Sequence, residues 1–251
     1  MTRLASLLRS CVHMLWMLVT VIPWAIVMLV ASIGASGTTL WWMAVRWLGW
    51  TIDGARVICG VQHRVSGMEH LPTRAEGTAA VLLAAKHQST YEAFLFPTIM
   101  PHPLAYVFKR ELLYVPFFGW AMGRLDMIHI DRSQRAQAFS KVVARGKDLL
   151  SRGIWIIMFP EGTRIPRGQK GTYKLGGTRL AVATGAPVIP IAVSSARCWP
   201  RKAFIKTPGI VDVSIGRPIP STGRDPDELM REVETWIEAE MRRLDPEAYP
   251  S

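Results

Sequence analysis

Apolar residues dominate the start of the chain, and no charged residue occurs from Ser10 to Val45. Within that stretch "CVHMLWMLVTVIPWAIVMLVA", residues 11–31, is long enough to cross a bilayer core as a helix. The small, turn-prone "SIGASGTT" (32–39) follows, then "LWWMAVRWLGW" (40–50), whose Trp41, Trp42, Trp47 and Trp50 suit a lipid–water interface. The pattern predicts a membrane-embedded helical hairpin over residues 1–56, broken near Gly34 and Gly37. A single crossing is the second reading. A signal peptide fits Arg3 and Arg9 as its basic region, but the apolar run is too long for one. Arg3 and Arg9 lie before the run and Arg46 and Arg56 after it, so charge gives no asymmetry, and both ends are expected on the cytoplasmic side.

From residue 57 the rhythm changes to short apolar runs separated by helical patterns. Strands are expected at "AAVLLAA" (79–85), "LAYVFK" (104–109), "MIHID" (127–131), "IWIIMF" (154–159), "VIPIAVS" (188–194) and "VDVSIG" (211–216). "SQRAQAFSKVVARGKDLLSRG" reads as a helix capped by Ser133 that buries Ala136, Phe139, Val143 and Leu150. Asp225-Pro226-Asp227-Glu228 opens the last helix, with Leu229, Val233, Trp236, Ile237 and Met241 on its apolar face. The alternation implies one α/β domain over residues 57–251, with a mixed, largely parallel sheet flanked by helices and functional loops at strand ends.

The 251 residues are 49% hydrophobic, which suits one domain with an appendage and argues against disorder. A net charge of +11 points to nucleic acid, anionic lipid or a phosphorylated small molecule. The basic residues form no dense run, and the start of the chain is membrane-like, so nucleic acid is not expected as a partner. Cys11, Cys59 and Cys198 lie far apart, which favours a reducing compartment over a disulfide framework.

Several chemistries are excluded. There is no Gly-x-Ser-x-Gly elbow, no phosphate-binding P-loop register after Gly162, no dinucleotide fingerprint and no His-Glu-x-x-His. What remains is "LLAAKHQSTYEAF" (82–94), where an apolar run ends in His87 and Glu92. Five positions apart, they stand about 140° apart on a helix. They meet only if His87 sits in the turn and Glu92 in the first helical turn beyond, capped by Ser89 or Thr90. The carboxylate then accepts from one imidazole nitrogen, and the other faces the loop crevice as a base. An isolated His-x4-Glu is more often a solvated polar turn.

Three further blocks accompany it. "FPEGTR" (159–164) ends another strand, with Pro160 and Gly162 shaping a turn whose amides and Arg164 suit an anion, or whose Glu161 and Arg164 pair internally. "FKRELLYVPFFGWAMGRL" (108–125) brings Lys109 and Arg110, then Pro116 and Gly119, or is a basic loop before a core segment. "GAPVIPIAV" (185–193) reads as a core strand.

The order of these four blocks, across residues 80–195, resembles the glycerolipid acyltransferase family, of which 1-acylglycerol-3-phosphate acyltransferases are typical. His87, Gly119 and the whole of "FPEGTR" match that family's blocks; its usual aspartate is Glu92 here. The resemblance implies a glycerolipid-acyltransferase-like sheet and acyl transfer from acyl-CoA or acyl carrier protein to the 2-hydroxyl of lysophosphatidate, giving phosphatidic acid. It implies no cofactor and no metal. In that scheme His87 is the base and Glu92 orients it. Lys109, Arg110 and Arg164 hold the acceptor phosphate, and Gly119, Pro160, Glu161, Gly162 and Thr163 shape the site. The expected setting is an anionic membrane surface, the cytoplasmic face of the cell inner membrane. Another lysolipid acceptor, such as a lyso-ornithine lipid, or a non-catalytic membrane lipid-binding role are the alternatives.

Overall fold

The computed structural model describes residues 2–35, 37–72, 81–84, 86–130 and 135–250. Among the described residues seven strands form one sheet: β1 (Val61–Ser66), β2 (Val81–Ala84), β3 (Leu104–Lys109), β4 (Ile128–Ile130), β5 (Trp155–Met158), β6 (Val188–Val193) and β7 (Gly209–Ile215). Their spatial order is β1-β7-β6-β2-β5-β3-β4. The block β6-β2-β5-β3-β4 is parallel throughout, β7 runs antiparallel to β6, and β1 runs parallel to β7. Strands covered on both faces read as continuous apolar runs, and every residue of β6 is buried.

Each expected strand is present. Residues 79, 80, 85 and 131 of the expected runs lie outside the described residues. β1 was not expected. Its sequence, VQHRVS, carries three polar side chains in a row, because only Val61, His63 and Val65 turn inward. An edge strand paired only to β7 keeps one polar face, so it lacks the apolar run that marks its neighbours.

Helices α1 (Arg3–Ala31) and α2 (Thr38–Cys59) form an antiparallel pair, reversed at Gly37, whose φ of +54° suits a residue without a side chain. Trp24 Nε1 donates to Met43 O, Trp47 Nε1 to Thr20 Oγ1 and Trp16 Nε1 to Trp50 O, so the partners run in opposite directions. The pair packs on the domain and does not project from it. Trp47 meets Phe94 edge-on, His13 meets Trp199, and both helices share a core with the sheet. This corrects the reading of Trp41 and Trp47 as interface anchors. Trp41 and Trp47 are 5% and 7% exposed inside the joint, and Trp42 faces outward. The outer side of α1 keeps a stripe of exposed Leu4, Leu8, Val12, Leu15, Val19, Ile26 and Val30 at helical spacing. Among the described residues, α1 is the one helix long and apolar enough to cross a membrane.

The remaining helices are α3 (Tyr91–Ile99), α4 (Phe118–Met122), α5 (Arg135–Ser151), α6 (Gly176–Thr184) and α7 (Pro226–Leu244). Among the described side chains of α5, Val142 and Leu149 are buried along with Gly146, while Val143 and Leu150 are half-buried. Ser133 and the side chains of Ala136 and Phe139 lie outside the described residues. α7 starts as expected: Asp225 Oδ1 accepts from the amides of Asp227 and Glu228, both at 3.0 Å. Its Leu229, Val233, Ile237 and Met241 are buried against the sheet and α6, with Trp236 beside them.

Candidate active site

In the parallel block every strand ends at the same edge of the sheet, and β6, β2, β5 and β3 are consecutive neighbours there. Ser195 follows β6, His87 follows β2, the Phe159–Arg164 turn follows β5, and β3 ends at Lys109 with Arg110 next. Blocks far apart in sequence thus converge on one edge.

Glu92 lies in the first turn of α3, where the helix dipole favours a carboxylate, and folds back over the loop before it. Its Oε1 accepts from His87 Nδ1 at 2.7 Å, from the Gln88 amide at 2.8 Å and from the Ser89 amide at 3.2 Å. Its Oε2 accepts from Ser195 Oγ. Four donors converge on a side chain with 0% exposure, an acceptor-only role that a carboxylate fills. Ser89 rather than Thr90 serves the helix start, its Oγ accepting from the Tyr91 amide at 3.0 Å. Thr90 Oγ1 instead accepts from Arg164 Nη1 at 2.9 Å.

The His87 side chain is 19% exposed. Its ring stacks on Phe159, with centroids 3.8 Å apart and planes 19° from parallel. Its backbone is held on both sides: the amide donates to Glu161 Oε2 at 2.7 Å, and the carbonyl accepts from the Ile165 amide at 2.6 Å. With Nδ1 committed to Glu92, Nε2 is the nitrogen left for a substrate. Glu161 is therefore a brace beneath His87 and not the partner of Arg164. Burial pushes its carboxyl up to about 7, against the pull of Lys86 and the amides of His87 and Gly171.

The other expected site residues divide. The Gly162 amide donates to the Phe159 carbonyl and closes the turn, while the carbonyl of buried Pro160 accepts from the Lys174 amide. Gly162 sits at φ +65°, and Thr163 is exposed. Arg164 comes beside His87 and Glu92 through Thr90. Arg110 is exposed at the same edge, and the Lys109 side chain lies outside the described residues. Gly119 lies in the first turn of α4, against the backbone of Leu112 and Leu113; a Cβ there would collide with Leu112 O, so only glycine fits. Among the described residues no three His, Cys, Asp or Glu side chains converge as metal ligands would.

Two contributors escaped the sequence reading. Ser195 follows a core strand with no motif around it, and only its position two residues after β6 hinted at the shared edge. Lys86 reads as an ordinary solvated lysine at a strand end, yet it is fully buried.

A model of the acyltransferase family matches residues 62–194, more than half of the chain and the stretch that holds His87, Glu92 and the Phe159–Arg164 turn. The chain belongs to the acyltransferase family. It is 41% identical over 204 residues to the 1-acyl-sn-glycerol-3-phosphate acyltransferase of Pseudomonas aeruginosa, covering 80% of this chain and 77% of that one. It is 38% identical over 127 residues to the enzyme of that name from Salmonella typhimurium, covering 49% and 51%. Against the alpha form of Mus musculus it is 29% identical over 177 residues, covering 70% and 61%. The crystal structure of the 1-acyl-sn-glycerophosphate (LPA) acyltransferase PlsC from Thermotoga maritima superposes with a TM-score of 0.77 at 23% identity over 98% of both chains, so the acyltransferase shares its fold.

Proposed function

We propose that this acyltransferase moves a fatty acyl group from acyl-CoA or acyl carrier protein to the 2-hydroxyl of 1-acylglycerol-3-phosphate, giving phosphatidic acid. The observation that carries the reading is the 2.7 Å bond from His87 Nδ1 to a Glu92 whose remaining acceptor capacity is filled by three other donors. A carboxylate so enclosed cannot swing away, and it holds the imidazole with Nε2 outward. The names of the relatives supply the substrate class.

The acceptor hydroxyl gives its proton to His87 Nε2 as its oxygen attacks the thioester carbonyl carbon. Glu92 stabilises the imidazolium that forms. Collapse of the tetrahedral intermediate breaks the carbon–sulfur bond, and the thiolate takes the proton back from Nε2. Such general-base help is worth about 10²–10⁴-fold in rate. No acyl-enzyme forms, in keeping with a sequence that lacks a nucleophile elbow. Arg164, fixed by Thr90 at the rim of the base, and Arg110 with Lys109 at the end of β3, receive the phosphate monoester.

In this reading residues 1–56 seat the enzyme in the membrane, with its chemistry in residues 57–251, on the cytoplasmic face of the inner membrane. The exposed stripe of α1 enters the leaflet, and Leu112, Tyr114, Val115 and Trp120, exposed on the segment packed beside α1, extend it. Drawing a lysolipid chain into water costs about 0.8 kcal/mol per CH₂, which an enzyme seated at the interface avoids.

One assay tests the acceptor. Purified protein is given acyl-CoA and, separately, lysophosphatidate, lysophosphatidylcholine and lyso-ornithine lipid in one detergent. Lysophosphatidate is the preferred acceptor, and Arg164→Lys raises its KM more than that for acyl-CoA, because the planar guanidinium fork is lost. Preference for either other lysolipid rejects the substrate and keeps the His87 chemistry.

A further inference from the structure

The residue before the proposed base is a buried cation that the chemistry above does not use. Lys86 is 0% exposed, yet its φ is +23°, a region that side-chain-bearing residues rarely occupy. Strain at such a position persists only where the surroundings over-determine it. Here they do. Lys86 Nζ donates to Glu238 Oε1 of α7 at 2.9 Å and to the Gln169 carbonyl at 2.9 Å, and lies 3.8 Å from Glu161 Oε1. It also stands over the Tyr249 ring, 5.3 Å from the centroid. Glu238 Oε1 is held in turn by Tyr173 Oη at 3.0 Å. On the other side of His87, Gln88 Nε2 donates to Tyr249 Oη at 2.5 Å. The two residues flanking His87 are therefore tied to α7 and the segment after it, and the amide of His87 itself to Glu161.

A lysine so placed cannot reach substrate: it has no exposed surface, and its donors are spent on protein acceptors. What its side chain does is fix where the peptide at 86–87 points, and so where the imidazole leaves the backbone. We propose that Lys86 is a positioning residue, and that its buried bridge to Glu238 makes the last helix part of the scaffold that aims His87 at the acceptor hydroxyl. The inference rests on the reading of His87 as the base. A displacement of about 1 Å at a reacting group can lower rate by about 10²-fold. The predicted loss is therefore in kcat, because neither Lys86 nor Glu238 touches either substrate.

The test uses full-length protein carrying Lys86→Met, Glu238→Gln or both. Removing one partner leaves a buried charge uncompensated and lowers stability; removing both relieves that penalty. The double variant should therefore recover its melting temperature while its kcat stays about 10- to 100-fold below the parent, with both KM values within about two-fold. Recovery of kcat together with stability would mean a bridge that only stabilises, and would overturn the proposal. If Lys86→Met alone fails to fold, the double variant and Glu238→Gln carry the comparison. A second readout needs no turnover: the downfield proton resonance of His87 Nδ1, assigned by its loss in His87→Ala, should move or broaden in the double variant. An unchanged resonance also overturns the proposal. Parent-like turnover by His87→Ala would instead overturn the base assignment, and the resonance would still decide the role of Lys86.

Discussion

Replacing Glu92 with glutamine separates charge from shape at the centre of the site. The glutamine oxygen can take the place of Oε1 and keep the bonds from His87 Nδ1 and the amides of Gln88 and Ser89. Its amide nitrogen then faces Ser195 Oγ, a hydroxyl that can turn to accept. The imidazole keeps its tautomer and direction, so what disappears is the negative charge opposite the forming imidazolium. With charge centres roughly 4 Å apart and an effective dielectric of about 20, that attraction is about 4 kcal/mol. If the proton is about half transferred in the transition state, about 2 kcal/mol is lost; if fully transferred, about 4. The expected fall in kcat is thus about 30-fold to about 1000-fold at roughly 1.4 kcal/mol per decade. Initial rates of transfer from acyl-CoA to lysophosphatidate, with a melting curve on each preparation, measure it. Glu92→Asp keeps the charge but reaches less far back over the loop, and should lose less than Glu92→Gln. A folded Glu92→Gln protein within about three-fold of the parent kcat would refute the electrostatic role assigned here.

Three other outcomes follow from the same geometry. Ser195→Ala removes one donor to a buried carboxylate, and should cost about 1–2 kcal/mol in denaturant unfolding and less than ten-fold in kcat. Burial raises the folded Glu161 carboxyl from an ordinary 4.5 to about 7, so the native state holds a proton the unfolded chain has already released. Its contribution to stability is whole below about 4.5 and declines until about 7, by about 3 kcal/mol in all. Glu161→Gln lacks that decline, so the stability difference between variant and parent should grow by that order from pH 4.5 to 7.5 and then level; a pH-independent difference would contradict it. Leu15→Glu with Val19→Glu places charges on the outer stripe of α1, where each costs about 2.5–3.5 kcal/mol inside a bilayer and little in water. The doubly substituted protein should float poorly with anionic vesicles at an unchanged melting temperature, and parent-like flotation would remove that stripe from the membrane.

Local physics carried much of the outline into the sequence. Strands covered on both faces read as apolar runs, so β5 and β6 stand out in the sequence, and the Asp225-Pro226 cap announces α7 before any packing is known. His87 and Glu92 were also legible, because a turn followed by the first helical turn can join residues five apart. β1 was not, since an edge strand with one solvated face needs no apolar run. The tryptophans of α2 show the same limit: an indole looks alike at a membrane interface and in a protein joint, and only the packing of the helical pair on the domain placed Trp41 and Trp47 inside. Tertiary structure alone could add Ser195 to Glu92 across 103 positions and Glu238 to Lys86 across the domain, because strand order decides which distant loops share an edge. Hydrophobic pattern is written by each residue's own burial, whereas a buried hydrogen bond or ion pair depends on which partner the whole fold delivers.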